Sequence, residues 1–174
     1  MDAFECIRTK LDVREFSAKP VSDEVKLKIL EAARLTGSGV NSQHWRFILV
    51  QRPEGIAKLA GDSTTGRWVG GANFAVIVLT DPTRRFHEID AGRALQDMQL
   101  AAWNYGVASA PYTGVKAEEL RRDFGIPESL HPAVVIGFGH PARRLVGRKS
   151  RRPLSEIAYL EAYGKGLTFQ KPSE

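Results

Sequence analysis

Two stretches of the sequence carry side chains suited to binding a ligand, and they lie far apart along the chain. Residues 37–47 read Gly-Ser-Gly-Val-Asn-Ser-Gln-His-Trp-Arg-Phe, so hydroxyl and amide groups that both donate and accept hydrogen bonds accompany two glycines. Because Gly37 and Gly39 tolerate a positive φ, we predict a sharp turn whose backbone approaches a ligand closely. Such a turn suits a flat heterocycle with several carbonyl and ring-nitrogen atoms. The simpler interpretation is a helix C-cap followed by a loop.

The second stretch is basic. Within residues 143–152 stand six cationic side chains: Arg143, Arg144, Arg148, Lys149, Arg151 and Arg152. Lys149 and Arg151 are separated by one residue, so in an extended segment both side chains point the same way. Arginine grips phosphate through two parallel hydrogen bonds and lysine acts as a point charge, and Lys10 and Arg14 add positive charge near the other end. Taken alone, the stretch favours a solvated basic face or a nucleic-acid patch.

Other kinds of chemistry find little support in the sequence. There is no strand-to-helix Gly-x-Gly-x-x-Gly, no Walker lysine and no Ser-His-Asp or Cys-His pattern. The four histidines are scattered without metal-ligand spacing, so we predict no metal site. The single cysteine, Cys6, excludes an internal disulfide framework, agrees with a reducing cytoplasm and is predicted to be a small buried hydrophobe. A chain without a visible acid, base or metal can still be an enzyme if a cofactor holds the reactivity.

Composition sets the broad class. The 174 residues are 43% hydrophobic and 26% charged, which is typical of one globular domain spanning residues 1–174. No apolar run approaches the roughly 20 residues that cross a bilayer, and the first residues lack the layout of a secretion signal, so a cytoplasmic protein is expected. The formal charge of +5 favours an anionic partner such as a phosphate-bearing cofactor or nucleic acid.

The elements that must position these side chains follow from capping signals and periodicity. Helices are predicted over residues 2–9, from an N-cap at Ser22 to about Leu35, over 54–60, from an N-cap at Asp90 through 91–105, and over 116–124. Strands are predicted over 45–50, 74–79, 107–112 and 133–138. A glycine-rich loop is expected over 61–71, where Arg67 and Trp68 are candidates for substrate contact. Strands alternating with helices predict an α+β (α/β layered) domain.

Four segments resemble the FMN-dependent nitroreductase family, in the order in which the family has them. Residues 8–16 resemble its opening Arg-Arg-Ser-x-Arg-x-Phe, and residues 38–45 resemble its Pro-Ser-x-x-Asn-x-Gln-Pro-Trp. Ala-Ser-Ala-Pro-Tyr-Thr-Gly at 108–114 lies where the family crosses the flavin ring. Gly-Phe-Gly-His-Pro at 137–141, with Lys-Ser-Arg-Arg-Pro-Leu at 149–154, resembles its closing stretch and phosphate clamp. The similarity covers essentially the whole chain.

This resemblance implies a short, single-domain member with a mixed sheet flanked by helices, forming an intertwined homodimer with FMN at the subunit interface. The residues that would hold FMN divide into three groups. The ribityl phosphate would be bound by Lys10, Arg14, Lys149 and Arg151. The isoalloxazine ring would be contacted from the second subunit by Ser38, Gly39 and Asn41. The segment crossing the ring would contribute Pro111 and, at the N5–O4 edge, the backbone N–H groups of Thr113 and Gly114.

The implied activity is an NAD(P)H oxidoreductase that passes hydride through flavin N5 to nitroaromatic, quinone or similar electron-poor acceptors by a ping-pong mechanism. One alternative is a flavin-binding or flavin-carrying protein of the same fold without reductase turnover. Another is a specialised family chemistry, such as dehalogenation, flavin fragmentation or azoline oxidation. A nucleic-acid binder is less favoured, because aromatic residues are not interleaved with the basic stretch as stacking platforms require.

The sequence departs from the family pattern at several positions. Asp12 stands where the family has Ser, which puts a carboxylate near the proposed phosphate, so we predict that Asp12 turns away or pairs with Arg8 or Arg14. The other departures are Leu11 for Arg, Gly37 for Pro, His44 for Pro, and Thr113 at a position that is acidic in some members. A backbone contact at Thr113 is insensitive to its side chain.

Overall fold

The computed structural model describes residues 1–145 and 149–168, so Arg148 of the basic stretch lies outside the described residues. The helices are α1 (Ala3–Thr9), α2 (Asp23–Leu35), α3 (Pro53–Gly61), α4 (His87–Asn104) and α5 (Ala117–Phe124). The strands are β1 (Arg46–Val50), β2 (Phe74–Thr80), β3 (Ala108–Tyr112) and β4 (His131–Gly139). Short 3₁₀ turns occur at Gly39–Asn41, Arg67–Gly71 and Leu154–Glu156. None of the helices in these ranges combines the length and the apolar character needed to cross a membrane.

The four strands form one sheet in the order β1-β2-β4-β3, in which every neighbouring pair is antiparallel. The sequence predicted a mixed sheet, which contains both parallel and antiparallel pairs. Within the described ranges, the parallel pairing is an isolated bridge between Asp12 and Ser109. A second bridge joins Phe16 to Pro141, so the segment after α1 runs beside the β3–β4 edge. The α+β prediction is confirmed, and the extended N-terminal segment is brought next to the end of β4.

Helices cover both faces of the sheet. On one face, α2 and α4 pack through Ile29, Ala33 and Met98 onto the stacked rings of Phe74 and Phe138, whose centroids are 4.7 Å apart. On the other face, α3 and α5 cover a second cluster that includes Leu59, Leu120, Ile77, Val135 and Val69. Strand β2 is buried along its whole length between these layers, as its continuous apolar run predicts. The face of the sheet against which α4 packs is therefore closely packed.

Capping explains several helix boundaries. The Asp2 carboxylate accepts the Glu5 N–H at 2.9 Å, and Ser22 Oγ accepts the Val25 N–H at 3.4 Å, so both predicted N-caps are confirmed. Cys6 is buried, as predicted. The prediction that Asp90 caps α4 is wrong, because α4 begins at His87 and Asp90 lies within its first turn. Its carboxylate accepts hydrogen bonds from a distant segment instead.

Residues 61–71, predicted as a loop, are packed more tightly than their composition suggests. Ser63 bridges to Val115, and Val69 is fully buried under the sheet. Trp68 is half-buried, with ring centroids 6.3 Å from Phe16 and 5.8 Å from Tyr112. The segment contributes to the second core cluster because its apolar residues meet partners that are distant in sequence.

Candidate functional site

Cationic side chains from both ends of the chain line one hollow of about 540 Å³, which we call the cationic hollow. Its walls are Lys10, Leu11, Asp12, Gln96, Gln99, Lys149, Ser150 and Arg151. Lys10 follows the last residue of α1 and is buried, and the Lys149 ammonium donates a hydrogen bond to the Ile7 carbonyl. The structure thus brings together three of the four residues predicted to bind phosphate.

The electrostatics of the cationic hollow suit an anion. Burial, together with the charges of Lys10 and Arg151, lowers the pKa of the Lys149 ammonium. Lys10, Lys149 and Arg151 against the single carboxylate of Asp12 leave a formal charge of +2. An anion placed between these cations would offset their mutual repulsion.

Asp12 does not behave as predicted. Its carboxylate neither turns away nor pairs with Arg8 or Arg14, because it lies 2.5 Å from the Lys10 ammonium. Residues 10 and 12 are two apart on an extended segment, so their side chains share one side. Arg8 instead pairs with Glu5 at 2.7 Å. Asp12 therefore neutralises one of the three cations and remains at the edge of the cationic hollow.

Two glutamines of α4 were missed by the sequence reasoning. Gln99 is buried, and its Nε2 donates to Asp12 Oδ1 and to Ser109 Oγ, each at 3.1 Å. Gln96, one turn earlier on the same side of the helix, also lines the cationic hollow. A signal was present, since Leu95, Met98 and Ala102 recur at helical spacing and Gln99 falls among them on the same side. A polar residue at such a position needs partners inside the fold.

Arg14, the fourth predicted phosphate ligand, lies apart from the other three. It lines a neighbouring hollow of about 380 Å³ together with Asp12, Glu15 and Arg143 among others. Its guanidinium carbon is 5.9 Å from the ring centroid of Trp68. Arg14 is exposed, so its long side chain can reorient without unfolding its neighbours.

The segment from Thr36 to His44, called the 36–44 segment below, has an unusual backbone. Left-handed φ values occur at Val40 (48°), Asn41 (55°) and Gln43 (46°), none of which is glycine. The prediction that Gly37 and Gly39 supply the positive φ is therefore wrong. A Cβ at Gly37 would meet the end of the Arg93 side chain, which is exposed and able to move. Left-handed non-glycine residues cost free energy and concentrate at functional sites.

Contacts with α4 hold this segment. The Gly39 N–H donates to Asp90 Oδ2 at 3.0 Å, and His44 Nε2 lies 3.1 Å from the same oxygen. Ser38 Oγ accepts the Gln43 N–H at 2.9 Å. Asn41 is exposed, so its amide is available to a ligand or a second chain.

The remaining predicted contacts lie at the end of β3. Pro111 is half-buried within the strand, and Thr113 is exposed beside a hollow of about 470 Å³ that residues of α4 also line. The Gly114 carbonyl accepts the Thr64 N–H at 2.7 Å, and a Cβ at Gly114 would collide with the hydroxyls of Thr64 and Thr65. Glycine is therefore required here by close approach of the 61–71 segment.

The 36–44 segment and the cationic hollow meet opposite sides of α4. Asp90 and Gln99 are nine residues apart, which is about two and a half turns and roughly 14 Å along the helix axis. Asp90 contacts the 36–44 segment, whereas Gln99 contacts Asp12 and Ser109 on the far side. Asp90 and Gln99 therefore lie on opposite sides of α4, each holding one of the two sets.

The sequence of this chain is similar to those of known proteins of one family. The model of the nitroreductase family matches residues 7–70 and 62–140. A protein of Methanothermobacter thermautotrophicus named "Putative NADH dehydrogenase/NAD(P)H nitroreductase" is 35% identical over 151 residues, covering 82% of this chain and 78% of the relative. An FMN reductase [NAD(P)H] of Bacillus subtilis is 26% identical over 178 residues, covering 87% of this chain and 70% of the relative.

A solved structure extends the likeness to three dimensions. The crystal structure of a nitroreductase family protein from Clostridium difficile 630 superposes with a TM-score of 0.81 at 26% identity. It covers 93% of this chain and 99% of that one. The likeness therefore extends over most of the fold.

Proposed function

We propose a function that starts from the family of this chain, which is the nitroreductase family. The protein is an FMN-dependent oxidoreductase that takes hydride from NADH or NADPH and reduces electron-poor acceptors such as nitroaromatics or quinones. The donor leaves before the acceptor binds, so both use one site in turn. The observation that carries this proposal is the meeting of Lys10, Lys149 and Arg151 in one hollow.

The cationic hollow fits the phosphate of FMN. A phosphate monoester carries about −1.5 to −2 charges at neutral pH, which matches the formal +2 of the hollow. Arg151 can bind phosphate through two parallel hydrogen bonds, while Lys10 and Lys149 contribute compact charges. Burial, and after it the charges of Lys10 and Arg151, lowers the pKa of Lys149, and a bound phosphate would offset the part that is due to those charges.

The isoalloxazine ring is proposed to lie where two copies of the chain meet. Ser38, Gly39 and Asn41 lie on the segment that contacts the other side of α4, and we propose, as the family resemblance implies, that a second copy supplies them to the same flavin. When bound, FMN supplies hydride transfer, which no side chain of this protein performs. The backbone N–H groups of Thr113 and Gly114 are proposed to donate to its N5–O4 edge. Such donors stabilise negative charge on the ring.

The absorption spectrum of the purified protein tests the proposal. We expect a yellow dimer whose visible flavin band bleaches when NADH or NADPH is added without oxygen, and recovers when a quinone follows. A protein that remains colourless after incubation with FMN would overturn the proposal. A yellow protein that neither nicotinamide bleaches would instead be a flavin carrier of the same fold. A cytoplasmic location is proposed as well, since the one cysteine is a free thiol.

A further inference from the structure

Three charged residues of α4 fasten the 36–44 segment at separate points. Asp97 accepts a hydrogen bond from the Thr36 hydroxyl, and the Arg93 guanidinium lies against Gly37. Asp90 contacts the segment farther along. Positions 90, 93 and 97 are spaced by three and four residues, so they share one face of the helix. The segment is therefore aligned along a rigid helix rather than supported by its own hydrogen bonds alone.

Asp90 makes the contacts that bracket the left-handed residues. Its Oδ2 accepts the Gly39 N–H at 3.0 Å and lies 3.1 Å from His44 Nε2. The Asp81 N–H is 3.4 Å from His44 Nδ1, so the consistent tautomer carries its proton on Nε2 and donates it to Asp90. The Asp90 and His44 side chains are only 4% and 3% exposed. Arg93 lies 3.6 Å from the other carboxylate oxygen.

This arrangement opposes the strain of the backbone. Left-handed backbone is costly for Val40 and Gln43 and less so for Asn41, so three such residues in four positions persist only where the surroundings hold them. The two contacts of Asp90 lie immediately before Val40 and immediately after Gln43. Hydrogen bonds to a buried charged group are among the stronger ones in proteins. Asp90 therefore restrains both ends of the strained stretch through one oxygen atom.

We infer that Asp90, with His44 as its partner, is a positioning residue that sets the 36–44 segment in the conformation that contacts the flavin ring. The inference rests on the proposed function, because it takes Ser38, Gly39 and Asn41 as ring contacts. His44 stands where the resemblance expects proline, which has no side-chain donor. The Asp90–His44 pair replaces the rigidity of that proline with a buried hydrogen bond. Asp90 touches neither the ring nor the substrate in this assignment.

The first test uses the flavin-free protein and compares Asp90→Ala with Asp97→Ala. Both variants remove a carboxylate of α4 that contacts the same segment, so general destabilisation affects both. Hydrogen exchange of the Gly39 amide should accelerate at least about tenfold in Asp90→Ala and stay within about twofold in Asp97→Ala. Equal exchange in the two variants would overturn the inference.

The second test measures FMN binding in the same variants by titration and visible absorption. Asp90→Ala should raise the Kd for FMN by at least about tenfold and shift the band of bound flavin, while Asp97→Ala leaves the band unchanged. Asp90→Asn keeps the size and one acceptor oxygen, so it should recover most of the affinity that Asp90→Ala loses. If Asp90→Ala does not fold, His44→Ala carries the test, because it removes the buried partner of Asp90 and should also raise the Kd. Flavin affinity equal to the wild type in Asp90→Ala, or in His44→Ala where Asp90→Ala does not fold, would overturn the positioning role.

The two proposals fail in different ways. If the wild type binds no FMN, the proposed function is wrong and the ring-positioning role with it, while the exchange of Gly39 still reports whether Asp90 sets the backbone. If the wild type binds FMN and the Asp90 variants bind it equally, only the positioning role is wrong.

Discussion

The cationic hollow and the 36–44 segment are held in the molecule in different ways. The hollow combines residues that lie at opposite ends of the chain, Lys10 and Lys149, on segments outside the sheet and the main helices. The 36–44 segment is contiguous and fastened to α4 by the buried Asp90 and His44. A single charge in the hollow can therefore change ligand affinity without unfolding the protein, whereas the segment is coupled to the core.

Each region also contains an interaction that raises the free energy of the folded protein, and the two interactions differ in kind. In the hollow it is electrostatic, since burial and the charges of Lys10 and Arg151 lower the pKa of Lys149. In the segment it is conformational, since Val40 has φ 48° while its side chain is 97% exposed. A bound anion would relieve the first, and only a substitution or a partner can offset the second. The predictions below test this difference, beginning with the largest expected effect.

The largest effect is expected for Arg151→Ala. The substitution removes a charge-assisted phosphate contact worth about 1.5–3 kcal/mol, so the Kd for FMN should rise roughly 10- to 150-fold. The unfolding free energy without flavin should change by less than about 0.5 kcal/mol, because Arg151 is exposed. Arg152→Ala is the matched control, since its neighbouring side chain is exposed and does not line the cationic hollow. Equal effects of both variants on Kd would place the phosphate elsewhere.

A smaller effect, on the stability of the protein and not on FMN affinity, is expected for Val40→Gly in the 36–44 segment. Val40→Gly should stabilise the flavin-free protein by about 0.5–1 kcal/mol, because glycine adopts the left-handed region without steric cost. Thermal denaturation should show a Tm higher by roughly 1–4 °C. Ser42, with φ −70° in the same segment, provides the control. Ser42→Gly should lower the Tm, and a fall in both variants would contradict the assigned strain.

The smallest effect is expected for Asp12→Asn. The Asp12 side chain is 55% exposed, so its repulsion of a phosphate is comparable to an exposed ion pair, about 0.2–1 kcal/mol. Removing this charge should tighten FMN binding by about two- to fivefold in titrations at low salt, and less at high salt. Glu15→Gln removes a nearby carboxylate that lines the neighbouring hollow instead. A tighter Kd in Glu15→Gln alone would show that the phosphate lies beside Arg14.

Capping residues and apolar runs predicted helices and strands well where the contacts that stabilise them are close in sequence. The capped helix α2 and the apolar strand β2 follow from the Ser22 cap and from residues 74–79, and both are confirmed. The 61–71 segment lacks a strand, as the loop prediction expects, but its burial was not predicted, because Val69 packs against residues that are distant in sequence. The prediction of Asp90 as a helix cap was wrong for a related reason, because the groups that bind its carboxylate, on Gly39 and His44, are about fifty residues away in sequence.

The sequence by itself determined the helical and extended segments, the family pattern and the residue types able to bind an anionic cofactor. Only the tertiary structure decided that Lys10, Lys149 and Arg151 share one hollow, that Asp12 pairs with Lys10, and that the left-handed residues of the 36–44 segment are not its glycines. The physical reason is the range of the interactions. Caps and periodicity act within a turn or two of the chain, whereas buried hydrogen bonds and clustered charges depend on where the fold brings distant residues together.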